Sequence, residues 1–162
     1  MNRIIKGILL SILCILLFSI SGCLSDLLPT KPDKNFTLQD LKGNTFTLSA
    51  NVGKPIILCF FLATCPHCAN EVPSLNAIFT KYKDTHNLLV VGIGVGSGIP
   101  EFAQNQGVTY PVLLDLDQSV ADLYNVRSVP HNVFINKNGK IIREEIGELT
   151  EAELELFVQE IL

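Results

Sequence analysis

The stretch Ile56-Ile57-Leu58-Cys59-Phe60-Phe61-Leu62, carried through Ala63 and Thr64 into Cys65-Pro66-His67-Cys68, decides the reading of this chain. The seven-residue apolar run, β-branched and aromatic, reads as a strand buried on both faces. Pro66 then opens a helical stretch to about Lys83, because its missing N–H costs nothing in a first turn. Pro73 marks an expected kink. Two cysteines with two residues between them can close a disulfide across that first turn. Cys65 then lies at the helix N-terminus, where free N–H groups and the positive dipole end stabilise a thiolate. Cys68, one turn deeper, is expected to be shielded and able to resolve a mixed disulfide. Half a zinc site is the competing reading. A four-ligand structural site usually needs a second Cys/His pair at similar spacing, which the sequence lacks, so the redox reading is preferred and no metal ligands are assigned.

Outward from the motif the pattern stays regular. Phe36, Leu38 and Leu41 flank a turn at Lys42-Gly43-Asn44, and Phe46 and Leu48 alternate with Thr45 and Thr47, as in a small hairpin. Further strands are expected at 88–95 and 110–114, with short helices at 100–106 and 119–124. Residues 132–135 and 140–146 form a hairpin across Asn136-Lys137-Asn138-Gly139. Thr150 and Glu153 make a capping box, and Leu154, Phe157, Val158 and Ile161 make the apolar stripe of the last helix. Alternating strands and helices imply parallel pairing with helices on both faces, and the closing hairpin makes the sheet mixed. The fold class is α/β, a three-layer α/β/α sandwich with an N-terminal β-hairpin.

The first 22 residues differ from the rest. Arg3 and Lys6 precede an apolar run from Ile8 to Ile20, too short for the ~20 residues of a bilayer span. This is the pattern of a secretory signal. Ile20-Ser21-Gly22-Cys23 resembles the bacterial lipobox, which implies cleavage before Cys23 and diacylglycerol on its thiol. An uncleaved anchor helix is the alternative. Residues 23–34 read as a tether between lipid and domain, and residues 35–162 as the domain. Of 162 residues, cleavage leaves 140, with ten basic residues against sixteen acids, since Arg3 and Lys6 are lost. The expected location is the extracytoplasmic face of the cell membrane, where disulfide chemistry is possible. The acidic balance and the absence of a basic cluster exclude nucleic acid as a partner.

Residues 35–162 resemble the thioredoxin superfamily, and more closely the TlpA/ResA-like membrane-anchored thiol–disulfide oxidoreductases. The resemblance rests on Phe36-Thr37-Leu38 with Asp40-Leu41-Lys42-Gly43, Gly53-Lys54-Pro55, Cys65-Pro66-His67-Cys68, Glu71, Pro73, Val129-Pro130 and Asn138-Gly139-Lys140. It implies a thioredoxin-like fold with a redox-active Cys65–Cys68 disulfide and no other cofactor. Pro130 matches the family's cis-proline, which faces the two cysteines and exposes the preceding backbone for pairing with a substrate peptide. Glu71 matches a carboxylate that manages protons near the cysteines, against the plainer reading of a solvated helix residue. The family often has Trp where Thr64 stands. Val129, His131 and Thr64 are placed at the substrate groove, His131 with an equal claim to being simply the first residue of a strand. Pro66-His67 and Val129 are similar to DsbA-type oxidants, where an imidazolium at His67 would add to thiolate stabilisation. His67 is otherwise an exposed spacer.

The resemblance further implies reduction of partner-protein cysteines, for example in apocytochrome c, with electrons from a CcdA/DsbD-like membrane conduit. A DsbA-like disulfide donor is the same chemistry reversed. A peroxiredoxin-like thiol peroxidase is disfavoured, because 58–64 holds no proline and no hydroxyl three residues before Cys65. A Sco-like Cu(I) metallochaperone is disfavoured by cysteine spacing, although thiolates suit Cu(I). Cys59 reads as a core hydrophobe, Asp115 and Asp117 as strand-end and helix-capping acids. Gly92, Gly94, Gly96 and Gly98 do not complete a nucleotide fingerprint.

Overall fold

A computed structural model describes Pro32 and residues 34–162. The expected signal segment, Cys23 and nearly all of the tether lie outside the described residues. Strands β1 (Thr37–Asp40) and β2 (Thr45–Thr47) form the expected hairpin. The Asp40 carboxylate accepts the backbone N–H groups of Lys42 and Asn44 at 2.8 Å each, and Gly43 takes the left-handed conformation at φ +83°. Only glycine enters that region without steric cost.

A 3-10 turn at Leu48–Asn51 leads to β3 (Ile56–Phe61), α1 (Pro66–Tyr82), β4 (Leu89–Val95), α2 (Ile99–Asn105) and β5 (Val112–Asp115). Then follow α3 (Ser119–Leu123), β6 (His131–Ile135), β7 (Ile141–Ile146) and α4 (Glu151–Gln159). The strands make one sheet in the order β2-β1-β5-β4-β3-β6-β7. β3, β4 and β5 run parallel, while β1, β6 and β7 pair antiparallel, so the sheet is mixed.

All six residues of β3 are buried. Successive side chains of a strand point to opposite faces. Ile57, Cys59 and Phe61 enter a core with Val72, Leu75 and Ile78 of α1, Phe102 of α2 and Leu154 and Val158 of α4. Ile56, Leu58 and Phe60 enter a second core with Phe36, Val120 and Tyr124. These are the three expected layers. Full burial of one such side chain stabilises by roughly 1.5–3 kcal/mol, which makes β3 the spine of the fold.

β3 ends one residue earlier than its apolar run suggests. Leu62 is partly exposed, and its carbonyl accepts the Cys65 N–H at 3.1 Å where the chain turns into α1. α1 continues through Pro73 as one element. The glycines of β4 serve packing. A Cβ on Gly94 would fall on the side chain of Ile99, and one on Gly92 would press on Phe61 and Tyr110. The Thr150–Glu153 capping box forms as expected. Asp115 is buried and accepts the N–H groups of Val120 and Ala121 at 3.1 and 2.8 Å, and Asp117 accepts that of Ser119, which are the capping roles read for them.

Candidate active site

The site stands at the end of β3. Cys65 is the N-cap of α1, with extended backbone, and Pro66 occupies the first turn. Cys65 and Cys68 are joined as a disulfide with their Cα atoms 5.3 Å apart. The Cys68 backbone N–H donates to Cys65 Sγ at 3.1 Å. That donor and the dipole end of a 17-residue helix both favour negative charge on the Cys65 sulfur once the pair is reduced. Cys65 is half-buried and Cys68 buried, so an incoming sulfur reaches Cys65 first.

β6 pairs directly with β3, Phe60 opposite His131 and Cys59 opposite Asn132. This register carries the preceding residues, Val129 and Pro130, to the cysteine end of the sheet. The Val129–Pro130 peptide is cis, and the Val129 carbonyl oxygen lies 3.7 Å from Cys65 Sγ. Pro130 is buried, and its own carbonyl accepts the Gly147 N–H at 2.9 Å. Thr64 is exposed at the rim, on the residue before Cys65.

His67 is exposed, and its Nδ1 lies 3.0 Å from Glu148 Oε2. Asn70 Nδ2 donates to the same oxygen at 3.2 Å. The His67 and Asn70 contacts, in that order, hold the Glu148 carboxyl below its ordinary value. Sequence reasoning missed Glu148. It lies 81 residues from His67, on the connection between β7 and α4, where an acid has no local signature.

Glu71 is fully buried, more deeply than the sequence suggested. Its hydrogen bonds go to Cys59, Asn132 and Leu149 rather than to either active-site sulfur. Oε1 accepts Asn132 Nδ2 at 2.8 Å and the Leu149 N–H at 2.9 Å, and Cys59 Sγ donates to Oε2 at 3.4 Å. Burial raises the carboxyl above its ordinary value and outweighs these three donors. Burial first, and the Glu71 charge second, raise the Cys59 thiol far up, so Cys59 stays protonated. Cys59 is a core residue as read, but its sulfur also has a polar partner that sequence did not indicate.

Of its two readings His131 takes the plainer one, the first residue of a strand, and departs from the groove assignment. It is 4% exposed, and its Nε2 lies 3.0 Å from Glu144 Oε2. Its ring packs 6.0 Å from that of Phe60. Asn132 faces α1, so its neighbour His131 points to the opposite face of the sheet. The side chain is therefore on the wrong face to meet a substrate at Cys65.

Comparison with known proteins bears on the family and the fold. Residues 29–144 match the AhpC/TSA family. The thiol-disulfide oxidoreductase ResA of Halalkalibacterium halodurans is 32% identical over 130 residues, 77% of this chain and 72% of that protein. The structure of MTB dsbF in mixed oxidised and reduced forms superposes with a TM-score of 0.75 at 25% identity, covering 82% of this chain and 100% of that one. A secreted Mycobacterium tuberculosis disulfide oxidoreductase homologous to E. coli DsbE gives a TM-score of 0.69 at 26% identity, over 78% of this chain and 96% of that one. The match over residues 29–144 and the similarity to ResA place this chain in the AhpC/TSA family, among the TlpA/ResA-like thiol–disulfide oxidoreductases of the thioredoxin superfamily.

Proposed function

We propose that this chain is a lipid-anchored extracytoplasmic reductant of partner-protein cysteines, apocytochrome c among them, recharged by a CcdA/DsbD-like membrane donor. The observation that carries the reductive direction is the His67–Glu148 pair at 3.0 Å. A histidine at this place stabilises the reduced form chiefly through its positive charge. Glu148 sets a carboxylate against that charge, so the dipeptide favours oxidation of partners less than its composition suggests.

In the reductive cycle the Cys65 thiolate attacks a substrate disulfide, forming a Cys65–substrate bond and releasing the second substrate sulfur as a thiolate, which takes up a proton. Cys68 then loses its proton and attacks Cys65 Sγ. The Cys65–Cys68 disulfide forms, and the first substrate thiol leaves carrying two electrons with its partner. Glu71, one turn beyond Cys68 on α1, receives the Cys68 proton. Its raised affinity for a proton suits that role. The Val129 backbone beside Cys65 and the exposed Thr64 bound the place where the substrate segment lies.

The full chain in detergent, equilibrated against dithiothreitol and glutathione buffers, tests the direction. A potential near about −270 mV supports a reductant. A value near about −120 mV reassigns the chain as a DsbA-like disulfide donor, the second reading, which the exposed Pro66-His67 dipeptide favours. Lipidation is tested by mass spectrometry of the membrane-extracted chain. An N-terminal Cys23 with a diacylglycerol adduct is expected, and an unmodified chain that still begins at Met1 overturns the lipid anchor in favour of an uncleaved anchor helix.

A further inference from the structure

Beneath the disulfide, Glu71 is held by donors from three separate parts of the chain. Cys59 comes from β3, Asn132 from β6 and the Leu149 N–H from the segment before α4. The other groups acting on it are Glu148 from that same segment and the Tyr110 phenol ahead of β5, itself kept neutral by burial. The disulfide stands at the start of its own helix, Cys65 as the N-cap and Cys68 in the first turn. Two of the donors, a backbone amide and an asparagine Nδ2, cannot reverse when a proton arrives. A thiol can, since it rotates and both donates and accepts.

Cys59 also has somewhere to turn. It lies directly across from Asn132 in the β3–β6 register, on the same face. The Oδ1 atom of Asn132 is buried without a hydrogen-bond partner. We propose that Cys59 is a positioning residue for Glu71, donating to the carboxylate when it is ionised and accepting from it when it is protonated. When Oε2 takes up a proton, the new O–H donates to Cys59 Sγ, and the thiol, keeping its own proton, turns its S–H to Asn132 Oδ1. Asn132 Oδ1 lacks a partner while the carboxylate is ionised and gains one when the thiol turns, so uptake of the proton strands neither Glu71 nor Cys59, and the cost of moving the proton falls. The proposal rests on the reading of Glu71 as the proton acceptor of the exchange.

The test is a pH titration of the Glu71 carboxyl by carbon NMR in the oxidised full chain, with the resonance assigned by its loss in E71Q. C59A removes a charge-assisted bond from the ionised carboxyl and the weaker thiol bonds from the protonated one, so the midpoint rises, by up to about one pH unit. C59S, with a stronger donor, lowers it below wild type. A C59A midpoint equal to wild type, or a rise in both variants, overturns the proposal. If C59A does not fold, C59S decides alone, since an unchanged or raised midpoint refutes the donor role. The reading beneath the proposal is separated by alkylation of Cys68 in the reduced chain. If E71Q leaves the pH profile of that rate unchanged, Glu71 is not the acceptor, whatever the carboxyl titration shows about Cys59.

Discussion

Glu71→Gln makes a prediction about stability that does not depend on substrate. The carboxyl sits at 0% exposure, and burial raises it above the ordinary 4.5 despite three hydrogen-bond donors. In the unfolded chain the same group titrates near its ordinary value. Between 4.5 and the raised folded midpoint, the folded state therefore holds a proton that the unfolded state has lost. Stability in that window falls as pH rises, by up to ~1.4 kcal/mol per pH unit for one proton, and levels off above the folded midpoint. Glutamine carries no such proton. Whatever fixed cost the amide imposes at Cys59, the stability of E71Q relative to wild type must climb with pH through the window and then become flat. Guanidinium unfolding of both oxidised proteins at half-unit steps from pH 4 to pH 8 measures the difference directly. The other carboxylates cancel in the subtraction. A flat difference would mean that the carboxyl is not shifted. A difference that falls with pH would mean that the donors from Cys59, Asn132 and Leu149 outweigh burial, and the account of this site would be wrong in sign.

Three further outcomes are expected. Cys68→Ala should accumulate a mixed disulfide between Cys65 and a disulfide-bearing peptide, seen as a mass adduct, whereas Cys65→Ala should accumulate none. Glu148→Gln removes the negative charge set against His67, so the potential of the Cys65–Cys68 couple should move in the oxidising direction, by at most about 20 mV because the pair is exposed and screened. Equilibration with glutathione at low and high salt reads the shift, and a more reducing couple would contradict the role given to Glu148. Gly94→Ala drives a methyl group into Ile99, which is fully buried, and should cost about 1–3 kcal/mol in chemical denaturation while leaving the potential unchanged.

What the sequence disclosed and what it withheld divide along contact range. β3 and the start of α1 were legible because an unbroken apolar run, a proline suited to a first turn and the two cysteines all act locally. Thr150–Glu153 was legible for the same reason, being a bond across three residues. The position of Pro130 opposite the cysteines followed from family likeness rather than from any property of its neighbours. Glu148 was invisible, because its meaning comes from His67 and Asn70, which only the docking of the β7–α4 connection beside α1 brings within 3.2 Å. The partners of Glu71 were hidden likewise, since Asn132 and Leu149 are 61 and 78 residues away. His131 is the first residue of a strand, as one of its two readings had it, and the groove reading failed because a period-2 strand turns a one-residue difference into a change of face, which pattern alone does not set.

The antiparallel pairing of β3 with β6 divides the molecule into two poles. Phe60 faces His131 at the thiol end, and Ile56 faces Ile135 at the other. The turn after β6, through Asn136 and Gly139, is therefore about as far from Cys65 as these two strands allow. Its backbone is anchored there by the Gly53 N–H on the Lys137 carbonyl at 2.8 Å, while the Lys137 side chain is exposed. A fluorophore or surface linker coupled at Lys137 would be mounted on the same pair of strands that frames the redox centre, yet at the opposite end of them. Immobilised by that pole, the molecule would present its thiols outward, an orientation suited to electrode or single-molecule work.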